Sequence, residues 1–252
     1  MLDTRHTTGR LKPLLARALI SSPSAAALSL IHRGRMTNHG VAFDTRGDVN
    51  FTRKIEAQLY LGLYEKAEIK MLREYAAGQS AILELGSSIG VTTAHILDVM
   101  DPDGRLVCVE ANPAVIPSLR RTIETHRKNQ QVDVLPVAVS NTPVFMDIRS
   151  SLGTRLANTE TATEVDSAPL SEVLERANIA GDYTLICDIE GAESHFIYDD
   201  TKALDNCRLL LIELDDTTYK GRDLLADDIY DELVNLGFKS KTQHAAVVAM
   251  TR

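Results

Sequence analysis

The stretch "AILELGSSIG", Ala81 to Gly90, decides how the chain is read. Its first half is an apolar run of the kind that forms a strand covered on both faces, and its second half is a small-residue turn. The turn has two incompatible meanings. As GxSxG it is a nucleophile elbow with Ser88 as the attacking group. As ExGxxxG, with Glu84, Gly86 and Gly90, it is a turn at which a nucleotide-like ligand approaches the backbone.

The flanking sequence separates the two. Downstream, short β-branched and leucine-rich runs alternate with helical stretches: "RLVCVE" (105 to 110), "VDVLPVAV" (132 to 139), "YTLICDIE" (183 to 190) and "CRLLLIEL" (207 to 214), with crossover helices expected over 91–100, 113–128, 170–178 and 224–236. That alternation predicts an α/β fold with a doubly wound, largely parallel sheet. "GFKSKTQHAAVVAMTR" leaves no room for a crossover helix, so its two runs are expected to form a terminal hairpin whose last strand enters the sheet antiparallel. Five parallel strands closed by such a hairpin are the seven-stranded layout of Rossmann-like class I methyltransferases. A hydrolase would place several strands and an oxyanion loop before its elbow, whereas the roughly 80 residues ahead of Ser88 read as mostly helical and hold no HGGG-like segment. His195 and His244 follow Ser88, so chain order alone does not exclude hydrolysis; the elbow nevertheless comes too early.

The ligand reading makes a prediction of its own. An acid should end the next strand about 20 residues beyond the turn, placed to accept hydrogen bonds from ribose hydroxyls. Glu110 stands there. A dinucleotide site normally has GxGxxG to seat its pyrophosphate, and here Ser88 replaces the second glycine. S-adenosylmethionine carries no phosphate, and its carboxylate and ribose suit a turn with Gly86, Gly90 and a leading acid. Glu84 then either receives the cofactor's ammonium or caps the amides of its own turn.

These residues resemble the FkbM family of S-adenosylmethionine-dependent methyltransferases. The resemblance rests on "GLYEKAE" (62 to 68), "ILELGSSIG" (82 to 90), "VEANP" (109 to 113), "AVS" (138 to 140), "CDIEGAE" (187 to 193) and "LLIEL" (210 to 214). Glu84 replaces the family's usual Asp, and Ser87 and Ser88 its usual Ala-Asn pair. The resemblance implies O-methylation of a hydroxyl on a sugar, glycolipid or other small molecule. It implies a cofactor site of Tyr64, Glu65, Glu84, Gly86, Ser88, Gly90, Glu110, Ala111, Asn112, Ala138, Ser140 and Asp188, with Tyr64 and Glu65 in the helix leading into the sheet. Asp188 and Glu190, two apart at the end of the fourth parallel strand, are expected on one side of an extended segment, contacting the acceptor or capping the next helix. Glu193 belongs to that helix's first turn. His195 is a candidate general base or an ordinary half-exposed helix histidine. Glu213, Asp215 and Asp216 read as a solvated acidic rim, and no metal is expected. The alternatives are a serine hydrolase using Ser88, an NAD-dependent oxidoreductase and a non-catalytic nucleotide-binding module.

Composition bounds the rest. With 252 residues, 44 % of them hydrophobic, the chain can build one main domain, expected over 51–252. A net charge of -8 argues against broad, sequence-independent nucleic-acid binding. The first 50 residues are instead basic, and a helical extension is expected there, either solvated or in peripheral contact with an acidic membrane surface or partner. Residues 14–31 are too interrupted by Arg17, Pro23 and serines to span a bilayer. The odd number of cysteines, Cys108, Cys187 and Cys207, without metal-ligand spacing, points to buried thiols in a reducing, cytoplasmic compartment. Ser150 to Val165, polar and rich in small residues, is the expected substrate loop.

Overall fold

The computed structural model describes residues 31–146 and 163–252. The chain divides into two compact units, Met1–Lys66 and Ala67–Arg252.

In the first unit, Arg35–Asn38 and Val41–Asp44 form an antiparallel hairpin. The helical extension expected over residues 1–50 is therefore corrected where it is described; residues 1–30 lie outside the described residues. The hairpin follows from period two: Met36, Asn38, Val41 and Phe43 are buried and their neighbours exposed. His39 and Gly40 both have positive φ, 44° and 91°, as the two-residue turn of a twisted hairpin requires. Asn38 Nδ2 donates to Leu59 O at 2.9 Å, tying the hairpin to helix α1 (Arg53–Tyr60). Helix α2 (Lys66–Tyr75) follows. Tyr64 and Glu65, expected inside a helix, instead occupy the turn between α1 and α2, Glu65 with φ 41°.

The second unit holds a seven-stranded sheet. Its strands in chain order are β1 (Ala81–Leu85), β2 (Arg105–Val109), β3 (Gln131–Leu135), β4 (Tyr183–Cys187), β5 (Cys207–Glu213), β6 (Lys239–His244) and β7 (Val247–Thr251). Across the sheet they run β3-β2-β1-β4-β5-β7-β6. Pairs from β3 to β5 are parallel, and β7 is antiparallel to both its neighbours. The expected doubly wound sheet with its terminal hairpin is what the chain forms.

Burial on both faces explains the unbroken apolar runs. Ile82, Leu106, Cys108 and Ile186 pack under α2 and two further helices, α3 (Val91–Val99) and α4 (Ile116–His126). Leu83, Leu85, Val107, Val109, Leu185 and Cys187 face the opposite layer of α5 (Leu170–Arg176), α6 (Ser194–Asp199) and α7 (Ala226–Asn235). All three cysteines are buried free thiols. No described helix is long and apolar enough to cross a membrane.

One expected strand is in fact two. Pro136, which has no N–H to give to a ladder, ends β3, and Ala138–Val139 pairs instead with Ser167–Ala168. Of the expected substrate loop, residues 150–162 lie outside the described residues, while Thr163–Val165 pairs with Val144–Met146. Because the chain moves outward through β2 and β3 and then crosses to β4, the strand order reverses between β1 and β4. Open α/β sheets place ligands outside the carboxyl ends of the strands at such a switch point.

Candidate functional site

The carboxyl ends of β1, β2 and β4 bring Glu84, Glu110 and Asp188 to the switch point. Between them lies the glycine turn, and its glycines are required by protein atoms. A Cβ on Gly86, φ 86°, would sit 1.8 Å from the backbone oxygen of Asp188. A Cβ on Gly90, φ 87°, would come 2.9 Å from Thr122 Cβ of α4. The glycines thus let β4 and α4 close on the turn.

Glu84, the penultimate residue of β1, is almost wholly buried. Its Oε2 accepts from the hydroxyls of Ser87 at 2.8 Å and Thr93 at 2.7 Å, linking strand, turn and α3. Its Oε1 is buried without a hydrogen-bond partner among the described residues. Burial raises the carboxyl's pKa, and the two hydroxyls pull it partly back. Glu84 therefore caps hydroxyls rather than backbone amides, with the Cys108 thiol as a further, weaker donor beside it.

Glu110 follows β2 and is only 7 % exposed. Oε2 accepts the backbone N–H of Ser88 and Oε1 that of Asn112, each at 2.7 Å. Ser88 offers that N–H because its φ is 47°, a left-handed conformation. Burial raises the carboxyl's pKa against the lowering effect of these amides. Each carboxylate oxygen has two lone pairs, so hydrogen-bonding capacity remains beyond the amides. Asn112 is fully buried and turns its Oδ1 to the Ala114 N–H at 3.0 Å. Ala111 packs beside the small apolar cluster of Ala138, Val144 and Met146.

Asp188 follows β4, half-buried. Its pKa is pushed up to about 7, first by burial and then by the negative charges of Glu213, Glu190, Asp215 and Glu110. Glu190 does not share a face with it. The strand ends at Cys187, and Glu190 turns outward, exposed, with φ 55°. Gly191, φ 94°, completes the turn against Thr217.

Sequence reasoning placed Glu193 at the start of the next helix but missed its role in the turn. It is wholly buried at the N-cap position of α6, where Oε1 accepts the Ile189 N–H at 3.1 Å and Oε2 has no hydrogen-bond partner among the described residues. Burial carries its pKa to about 8. Only the "DIEGAE" spacing could have indicated it, since a Glu four residues after a turn amide can reach back to cap it.

His195 is half-buried, and burial lowers its pKa. Its Nδ1 accepts the Asn141 N–H at 3.4 Å and lies 3.4 Å from Ser140 Oγ, which places the ring proton on Nε2. The lone pair a general base needs thus faces Asn141. Ser140, itself buried, bonds Thr142 O at 2.8 Å. Tyr64 and Glu65 belong to the first unit.

An open sheet ordered β3-β2-β1-β4-β5-β7-β6, with an antiparallel β7, one acid near the end of β1 and another just past β2, defines a class I S-adenosylmethionine methyltransferase fold. Within that class the particular assignment follows from sequence. The chain matches the methyltransferase FkbM domain over residues 84–240 and belongs to that family of S-adenosylmethionine-dependent methyltransferases. Among solved structures, Aeropyrum pernix fibrillarin with bound S-adenosyl-L-methionine aligns with 15% identity and a TM-score of 0.44, over 73% of this chain and 71% of that one. An O-methyltransferase from Bacillus cereus in complex with SAH aligns with 14% identity and a TM-score of 0.43, over 73% and 79%. A putative tRNA (m1A22) methyltransferase from Streptococcus pneumoniae aligns with 11% identity and a TM-score of 0.42, over 73% and 71%. No curated protein matches the chain.

Proposed function

We propose that the enzyme transfers the methyl group of S-adenosylmethionine to a hydroxyl oxygen of a sugar, glycolipid or other small molecule. The observation that carries the reading is the convergence of Glu84, Glu110 and Asp188 at the switch point, two of them with unused hydrogen-bonding capacity. The donor set fits the cofactor's chemistry. The buried Oε1 of Glu84 calls for a donor, which an ammonium provides. Glu110 can accept ribose hydroxyls with the lone pairs its amides leave. Ser88, Asn112 and Ala111 line the turn that holds Glu110, and Ala138 and Ser140 continue toward an apolar base.

When bound, the sulfonium supplies an already activated methyl group. The chain must then hold an acceptor oxygen in line with it, exclude water and take up one proton. Asp188 suits the last task. A carboxylate with a pKa of about 7 is a stronger base than an ordinary one and is still ionised in half the molecules at neutral pH. His195, whose lone pair is engaged by Asn141, is assigned to the acceptor side instead. Exposed Glu190 orients the acceptor or ends the turn.

Methyl transfer from labelled cofactor onto glycan and lipid extracts tests the function, with the pH dependence as its signature. Because only the ionised Asp188 accepts a proton, kcat/KM should rise with pH through about 7 and level off above it. Asp188→Asn should lower kcat by about 10²-fold or more and abolish that limb. S-adenosylmethionine binding without turnover on any hydroxylated acceptor would contradict the proposal.

A further inference from the structure

The first unit holds a cavity of about 680 Å³ that methyl transfer does not use. Three arginines line it, each from a different element: Arg33 from the turn before the hairpin, Arg46 from the loop after it and Arg53 from the first position of α1. These elements are locked together. Thr45 N–H donates to Gly34 O at 2.8 Å, and the Thr45 hydroxyl donates to Glu56 Oε1 of α1 at 2.5 Å. Gly34, φ 71°, lets the turn close against the loop, since a Cβ there would be 2.7 Å from Arg46 Cγ. The arginines therefore project from a preformed frame.

What the frame leaves uncommitted is positive charge. Arg33 and Arg53 are exposed, and neither guanidinium has a hydrogen bond or ion pair among the described residues. The acids nearby are already engaged. Arg46 holds Asp44 through Nε at 2.8 Å and Nη2 at 2.5 Å, Asp48 Oδ1 accepts the Asn50 N–H at 3.0 Å, and Glu56 is buried on Thr45. Two guanidinium forks without acceptors suit an oxyanion. A phosphate monoester answers them better than a carboxylate, because its charge of about −1.5 to −2 and its three oxygens can be divided between two forks. The cavity is also larger than a phosphate group, and part of its lining is apolar, with Phe51 buried and Val49 exposed. An organic body attached to the phosphate fills that space.

We infer that this cavity binds a phosphate monoester, with Arg33 and Arg53 sharing the phosphate and the Phe51 side of the cavity taking the organic group. The inference stands apart from the methyl-transfer reading, since none of the lining residues belongs to the expected cofactor or catalytic set.

The test is calorimetric titration of the full chain with phenyl phosphate and with benzoate, at low ionic strength because salt screens charges at an exposed site. Sedimentation with phosphatidylcholine vesicles, with and without phosphatidic acid, runs beside it, and melting curves verify that every variant is folded. Phenyl phosphate should bind saturably and more tightly than benzoate. Arg33→Ala and Arg53→Ala should each weaken it about tenfold, the loss expected for one charge-assisted contact, while Arg120→Ala, outside the cavity, leaves it unchanged. If phosphatidic acid vesicles carry the wild type down and release both cavity variants, the natural ester is a lipid headgroup; if they leave the wild type in solution, it is a soluble ester, and either result is consistent with the site. No saturable binding of phenyl phosphate, equal affinity for benzoate, or unchanged affinity in Arg33→Ala and Arg53→Ala would overturn the inference, whatever the outcome of S-adenosylhomocysteine binding.

Discussion

Glu193 shows how a single residue in this site combines support with cost. Its carboxyl caps the turn that carries Asp188, yet one oxygen is buried without a hydrogen-bond partner among the described residues. With the folded pKa raised to about 8 from 4.5, the native state keeps a proton that the unfolded chain releases. The stability contribution is therefore complete below the unfolded pKa and is lost as pH rises through about 8. Glu193→Gln keeps an acceptor for the Ile189 N–H and removes the ionisation. It should raise the thermal midpoint by about 2–6 °C near pH 9 and change it little near pH 5, by differential scanning fluorimetry. Glu84 and Glu110 were legible in the sequence because strand, turn and acid stand at fixed spacing. Glu193 was not, because its role depends on the backbone reversing at Glu190 and Gly191, and nothing in a linear pattern announces a left-handed φ at a glutamate.

At the scale of elements, α6 illustrates how packing replaces propensity. Six residues are too few for a helix to persist alone in water. It holds because Phe196 and Ile197 are wholly buried in the core under β4. Phe196→Ala should cost about 3–5 kcal/mol, read as a lowered urea midpoint. The five parallel strands were legible because burial on both faces leaves continuous apolar runs. The hairpin at 35–44 was missed because each of its strands has only four residues, too few for alternation to stand out against a basic, helix-like background. The ladder of Thr217–Tyr219 was equally hidden, being shorter still. Pro136 did signal its break, but the apolar residues around it made one strand the simpler reading.

At the scale of the whole molecule, the sheet reverses its order beside β1, and that reversal creates a crevice where residues far apart in sequence meet. Ser88 and Glu110, joined by a 2.7 Å hydrogen bond, are one such pair, and Ser140 and His195 another. Strand order was inferable from the alternation of strands and helices, which is why the crevice's acids could be named in advance. The contacts across it could not, since closeness between loops on different strands leaves no periodic trace. Glu110 holds the glycine turn to β2 and, in the proposed complex, the ribose as well, so removing its carboxylate should weaken binding of the ligand and also leave the Ser88 and Asn112 N–H groups without their acceptor. The deciding measurement is calorimetric titration of S-adenosylhomocysteine into the wild type and Glu110→Ala, with melting curves to verify that both are folded. Saturable one-site binding by the wild type, weakened at least about tenfold in the variant by the loss of charge-assisted hydrogen bonds, is the expected result. No binding by the wild type, or equal affinity in a folded Glu110→Ala, would contradict it.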